Sequence, residues 1–187
     1  MMQPQPEYEW ITDQIFTVRN FFSTAECQHF IALAEQEGFG DAPINTAFGA
    51  QVRKDVRNNL RVMIDDVSLA EALWSRSSQF VPMHVGQWKA VGLNERLRFY
   101  RYDVGQQFDW HLDGAFEREN GERSQLTFMI YLNGDFEGGE TSFEHGAVVP
   151  ETGMALFFVH RILHKGEPVT AGRKYVLRTD VMFTLTS

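Results

Sequence analysis

The sequence predicts a mainly β fold with helices confined to its N-terminal part, and three observations carry that prediction. Two Ser-x-x-Glu patterns, each with the spacing of a capping box, open helix-compatible stretches before residue 80. From Leu97 onward the chain is a succession of short apolar runs punctuated by Gly, Asn and Asp. No helix-length apolar pattern interrupts that succession. A parallel βαβ sheet is therefore excluded in favour of an antiparallel sandwich or barrel, its outer face buttressed by the early helices.

Taken in order, the first dozen residues are polar, carry Pro4 and Pro6, and read as a loose lead-in. Ser23-Thr24-Ala25-Glu26 starts a helix whose stripe is Cys27, Phe30, Ile31 and Ala34, with Phe22 as a staple partner and Gly38 and Gly40 as the stop. The stretch 40–59 is mixed, and Arg61 to Ile64 reads as a strand. Ser68-Leu69-Ala70-Glu71 opens a second helix that runs to about Val81-Pro82. Strands follow at Leu97–Tyr102, Phe108–Asp113, Leu126–Asn133, Thr141–Phe143, Ala147–Val149, Met154–Val159 and Lys174–Thr186. In Leu126–Asn133, Thr127, Met129 and Tyr131 point one way and Phe128, Ile130 and Leu132 the other. One domain over 1–187 is expected, with helical support over about 20–82 and a β core over about 96–187.

The chain has 187 residues, enough to bury a sizeable core, and its 17 Lys and Arg against 25 Asp and Glu give a formal net charge of −8. That balance argues against nucleic-acid partners while leaving room for a local basic pocket that takes a small anion. No apolar run reaches the roughly 18 residues of a membrane helix, and the first ten residues lack a signal-peptide pattern. A single cysteine, Cys27, forms no internal disulfide, so a cytoplasmic location without membrane association is expected.

The chemistry lies among six histidines. His111-Leu112-Asp113 places an imidazole and a carboxylate two apart on a strand, hence on one face. One more distant histidine would complete the two-nitrogen, one-carboxylate triad of non-haem Fe(II) sites, which keeps coordination positions open. His160 and His164 compete for that place. Their separation of four matches a helical dihistidine site, the flanking run Met154–Val159 looks like a strand, and spacing alone does not choose between them. His29 and His84 have no carboxylate at ligand spacing, and His145 sits in a turn.

Over about residues 96–183 the chain resembles the 2-oxoglutarate- and Fe(II)-dependent oxygenases, in particular their prolyl 4-hydroxylase-like branch. The resemblance is carried by five motifs in order: Tyr102 through Gly105 to His111-x-Asp113; Tyr131-Leu132-Asn133; Glu137-Gly138-Gly139-Glu140-Thr141-x-Phe143; Pro150-x-x-Gly153-x-Ala155-Leu156-x-Phe158; and His164-x-Gly166-x-Pro168-Val169-x-x-Gly172-x-Lys174. It implies a double-stranded β-helix (a cupin-like jelly roll) with iron near one open end, held by His111, Asp113 and His164. It also implies 2-oxoglutarate as cosubstrate, anchored by Lys174 with Tyr102, and dioxygen as co-reactant with ascorbate as reductant. A lysine suits that anchoring role because a carboxylate entering a narrow, dry cavity needs a counter-charge. Tyr131 and Thr127, sharing a strand face, are expected to close the same pocket. Arg178 shares the face of Lys174 and is expected over substrate or on Asp180, whereas Arg173 is expected in solvent.

For substrate, the donor-rich segment Gln51–Asn59 offers Arg57 and Asn58, and Trp110 beside His111 offers an apolar wall. The polar run from Phe116 to Ser124 suits either a lid or an ordinary exposed loop. The leading expectation is hydroxylation of a prolyl or related residue in a peptide or protein. The alternatives are the same chemistry on a free amino acid or other small metabolite, and a non-catalytic metal-dependent sensor or sugar-binding jelly roll.

Overall fold

A computed structural model describes residues 4–46 and 49–186. Its main sheet is antiparallel throughout and runs, edge to edge, Glu7–Thr12, Ile15–Arg19, Ala155–Val159, Arg123–Tyr131, Lys174–Leu185, Arg96–Tyr102, Leu60–Asp65 and Gly40–Asp41. Trp88–Leu93 pairs with the far half of Lys174–Leu185. A smaller antiparallel sheet has the order Phe108–His111, His164–Gly166, Thr141–Phe143, Gly146–Val148.

Period-two alternation divides the main sheet into two apolar faces. Leu97, Phe99, Phe128, Ile130, Phe157 and Leu177 face the helices with Phe30, Ala34, Ala70 and Leu73. Here Phe157 stacks between Phe16 and Phe128, at ring-centroid distances of 4.6 and 4.5 Å. Tyr100, Tyr102, Tyr131, Leu156, Phe158 and Val176 face the smaller sheet, meeting Phe143 and Val148. Two sheets closed over a shared core, with helices outside the larger one, make a double-stranded β-helix.

Helix α1 (Thr24–Glu37) begins where the sequence places it. Ser23 accepts from the Glu26 N–H while the Glu26 carboxylate accepts from the Ser23 N–H, and Gly38 ends the helix at φ 86°. Phe22 stacks on Phe30 at 5.1 Å. Helix α2 (Val67–Ser77) departs from expectation at both ends: its cap is Asp66, which accepts from the Leu69 N–H, so Ser68 lies inside the first turn, and the helix stops well before Pro82. The lead-in is also corrected, because Glu7–Thr12 is an edge strand, although every residue in it is exposed. The main sheet further recruits Ile15–Arg19 and Trp88–Leu93, which the pattern reading passes over. Among the described residues no helix is long and apolar enough to cross a membrane.

Candidate metal centre

The smaller sheet sets two imidazoles side by side. His164 lies directly opposite His111 across the ladder, and their ring centroids are 4.1 Å apart. Each Nδ1 faces a backbone carbonyl, that of Asp109 at 2.7 Å for His111 and that of Ile162 at 2.9 Å for His164. A carbonyl only accepts, so each Nδ1 carries the proton and each Nε2 keeps its lone pair for a ligand. The strand Phe108–His111 ends before Asp113, contrary to the expected shared strand. Instead the Asp113 N–H donates to the His160 carbonyl at 3.1 Å. That bond brings the carboxylate under both rings, at 3.8 Å from His111 Nε2 and 3.6 Å from His164 Nε2. The three donor atoms lie within 4.8 Å of one another. Two neutral imidazoles and one carboxylate facing a cavity fit a divalent metal such as Fe(II) that retains open positions.

The charges support that use. Burial, then the neighbouring His164, pushes His111 down to about 3, and burial likewise lowers His164. Burial pushes the Asp113 carboxyl up, but Arg178 above all, then the two histidines and the Thr127 hydroxyl, hold it below the carboxylate range. The site is thus a ready anion flanked by neutral nitrogens.

A directed hydrogen-bond chain stands behind the carboxylate. Thr127 donates its hydroxyl proton to Asp113 Oδ2 at 2.5 Å and therefore accepts from His160 Nδ1 at 3.0 Å. His160 Nε2, left with its lone pair, accepts from Ser124 Oγ at 2.9 Å, and Ser124 in turn accepts from the Phe116 N–H. Burial lowers His160 as well, keeping it in the neutral tautomer this chain needs.

Opposite the triad, in the same cavity, is Lys174. It is 2% exposed, its Nζ donates to the Gly139 carbonyl at 2.5 Å, and it has no ion pair among the described residues. The ring centroids of Tyr102 and Tyr131 lie 5.2 and 5.3 Å from the ammonium. Burial drives Lys174 down to about 7, against a raising effect of Glu140. Gly138 and Gly139, at φ 71° and 69°, let the backbone approach. A Cβ on Gly138 would meet the Pro168 carbonyl oxygen at 2.4 Å, and one on Gly139 would press on the Lys174 side chain at 3.2 Å.

Comparison with known proteins agrees with this geometry. Residues 97–179 match the model of the 2OG-Fe(II) oxygenase superfamily, a span that contains the triad and Lys174. Over that span the chain is similar to that superfamily. Its relatives lie in the prolyl 4-hydroxylase-like branch. A PKHD-type hydroxylase of Gloeothece citriformis is 26% identical over 87% of this chain and 75% of its own length. Prolyl 4-hydroxylase 5 of Arabidopsis thaliana is 30% identical over 66% of this chain and 42% of its own length, so the chain spans less than half of that plant relative. Among solved structures, a prolyl hydroxylase of Trichoplax adhaerens in complex with a hypoxia inducible factor peptide fragment superposes with a TM-score of 0.68 at 19% identity, covering 91% of this chain and 84% of that one. The viral collagen prolyl hydroxylase of Paramecium Bursaria Chlorella virus-1 in its 2OG complex gives 0.64 at 18%, over 91% and 96%. At those identities the superpositions establish the shared fold.

The structure sorts the expected site residues. His164, not His160, joins His111 and Asp113. Tyr102, Thr127 and Arg178 line the cavity with the triad and Lys174. Tyr131 does not: its hydroxyl is bonded to Thr141 Oγ1 at 2.6 Å, and Thr141, which sequence reasoning missed, forms the wall in its place. The Thr127 hydroxyl is committed to Asp113 and so is not free for a cosubstrate. Trp110 projects into solvent at 45% exposure because it alternates away from His111. Asn58 is a tether, its Oδ1 accepting from the Gln107 N–H at 2.7 Å and thereby clamping the 53–59 loop beside the site strand. Arg57 does reach the site, and Arg178 contacts both Asp113 and Asp180, at 3.1 and 3.0 Å. Arg173 pairs with Asp103 at the surface. The Phe116–Ser124 run is an anchored loop, since Arg118 ties it to Glu95 and braces it internally on Glu122.

Proposed function

We propose that this protein is an Fe(II)- and 2-oxoglutarate-dependent dioxygenase that hydroxylates an unactivated C–H bond of a prolyl or related residue in a peptide or protein. One observation carries the reading: His111, Asp113 and His164 share a cavity with a buried ammonium, Lys174, that forms no ion pair among the described residues. Bound Fe(II), with the cosubstrate, supplies the oxidising chemistry, in which dioxygen and 2-oxoglutarate give succinate, carbon dioxide and one oxygen atom inserted into the substrate C–H bond. His111, Asp113 and His164 would hold the metal, and three protein ligands would leave positions for cosubstrate and dioxygen. Lys174 pairs the far carboxylate of 2-oxoglutarate, and the Tyr102 ring supports the ammonium. Thr127, fixed by His160, holds Asp113 Oδ2 and would keep the carboxylate oriented toward the two imidazoles for metal binding.

A peptidyl prolyl substrate is supported by relatives bearing prolyl 4-hydroxylase names and by the peptide-bound Trichoplax neighbour. A cytoplasmic location is supported by the sole cysteine, Cys27, being buried and unpaired. The test is succinate formation from 2-oxoglutarate with Fe(II) and ascorbate, followed by a +16 Da shift on peptide arrays against a metabolite panel. No succinate above a metal-free control would overturn the proposal.

A further inference from the structure

Beside the metal cavity opens a groove of about 500 Å³ whose lining includes Arg57, Arg61, Arg96, Arg98 and Arg178 together with His111 and Asp113. Five guanidiniums in one groove are unexpected in a chain of formal net charge −8. Strand register explains how they meet. Arg61 lies opposite Tyr100, and Arg98 lies between Met63 and Arg178, so alternate residues of three adjacent strands bring Arg61, Arg98 and Arg178 to one face.

Their counter-charges do not suffice. Asp65 serves Arg96 at 2.8 Å, Asp180 serves Arg98 and Arg178, each at 3.0 Å, and Asp113 also faces Arg178 at 3.1 Å. Arg57 and Arg61 have no acidic partner among the described residues. Arg57 is 5% exposed and held between the rings of Tyr100 and Phe108, 4.5 and 4.3 Å from their centroids, with Phe108 stacked in turn on His111 at 3.4 Å. Its Nε donates to Asn59 Oδ1 at 2.7 Å, while its buried Nη2 has no partner among the described residues. The field of this cluster is felt by its neighbours. Burial lowers the Arg61 guanidinium, and Arg57, Arg98 and Arg178 lower it further against Tyr100. Although burial raises the Tyr100 phenol, Arg178, Arg57 and Arg98 outweigh it and bring it to about 8. Holding buried guanidiniums without counter-ions is costly, and the cost is offset when a ligand supplies the anion.

We propose that this groove is the substrate subsite and selects for charge: the substrate carries a carboxylate beside the carbon presented to the metal, and Arg57 and Arg61 take that carboxylate. The inference rests on the oxygenase reading and deepens it by naming the substrate class. The carboxylate comes either from an Asp or Glu flanking the target in a peptide or from the α-carboxylate of a free amino acid, and the arms of the experiment separate these sources.

The Fe(II)-loaded protein, with 2-oxoglutarate, is given proline-containing peptides matched except for Glu, Gln or Lys beside the proline, and in parallel free proline and free acidic amino acids. Turnover is read as the +16 Da product and binding by calorimetry. Wild type should favour Glu over Gln at least about tenfold in kcat/KM, as charge-assisted hydrogen bonds require. Arg61→Glu should compress that ratio below about twofold, and Arg61→Lys should retain most of it. Turnover confined to the free acids supports the same subsite with the metabolite as its source. Equal or better use of Gln and Lys peptides overturns the inference, as does failure of every acidic member both to turn over and to bind at millimolar concentration. Succinate formed by wild type without substrate reports the oxygenase reading separately, so loss of charge selection with succinate intact sinks the subsite alone.

Discussion

Binding of 2-oxoglutarate should carry a pH dependence that Lys174 imposes. Within the cavity burial lowers this ammonium from 10.5 to about 7, and the Gly139 carbonyl is its only hydrogen-bond partner among the described residues. A carboxylate arriving beside it restores the charged form, so the protonated lysine is the binding-competent state. Below pH 7 that state is already populated and affinity is flat. Above pH 7 each unit costs about tenfold, and Kd should rise about 50-fold between pH 7 and pH 9. Binding should take up about half a proton at pH 7 and nearly a whole one at pH 8. The other groups facing Lys174 do not mask this. Burial raises Tyr131 and brings Tyr102 to about 12, so both stay neutral throughout the window, and the ligand histidines are lowered away from it. Calorimetry on the Zn(II)-loaded protein, in buffers of different ionisation enthalpy, reads both quantities. Lys174→Arg, charged at every pH used, should flatten the profile. A Kd constant from pH 6.5 to 9 with no proton uptake would refute the reasoning.

Other consequences are open to direct measurement. His160→Ala breaks the chain that orients Thr127 on Asp113, and metal affinity by competitive chelation should fall about 10- to 100-fold while the fold survives, as outer-sphere changes do. Gly153→Ala places a Cβ 2.1 Å from the Phe22 carbonyl oxygen at a φ of 78°, and urea titration should show a loss of about 3 kcal/mol. The metal-free protein should lose stability as pH falls below the unfolded histidine value of 6.5, because His111, His160 and His164 are all lowered in the folded state and the unfolded chain binds the additional protons. Each contributes a slope of about 1.4 kcal/mol per pH unit at most, and the slope for His111 should persist to about pH 3. Cys27, buried and pushed up to about 11 chiefly by burial, should resist alkylation until the protein unfolds.

What the chain discloses by itself depends on how local the determinant is. The α1 cap is legible because Ser23 and Glu26 satisfy each other within one turn. The α2 start is displaced because Asp66, two residues earlier, is an equally good local cap and wins. Glu7–Thr12 leaves no trace because an edge strand exposed on both sides has no alternation to read. Trp88–Leu93 is masked by a register shift opposite Met182 and Phe183, which puts Ala90 and Leu93, of opposite parity, both into the core. At the site, the glycines of the Gly138-Gly139 motif are legible and the close backbone approaches explain them. The His160–Thr127–Asp113 chain and the arginine groove are not legible, because each joins strand and loop residues far apart in sequence that only the fold makes neighbours.

The central claim is that one small diacid bridges the metal triad and Lys174. An anaerobic crystal structure with Fe(II) and 2-oxoglutarate tests it most directly. The account predicts anomalous density ligated by His111 Nε2, His164 Nε2 and one Asp113 oxygen, with the distal carboxylate on Lys174 Nζ. Iron bound elsewhere, or a cosubstrate whose far carboxylate lies away from Lys174, would contradict it.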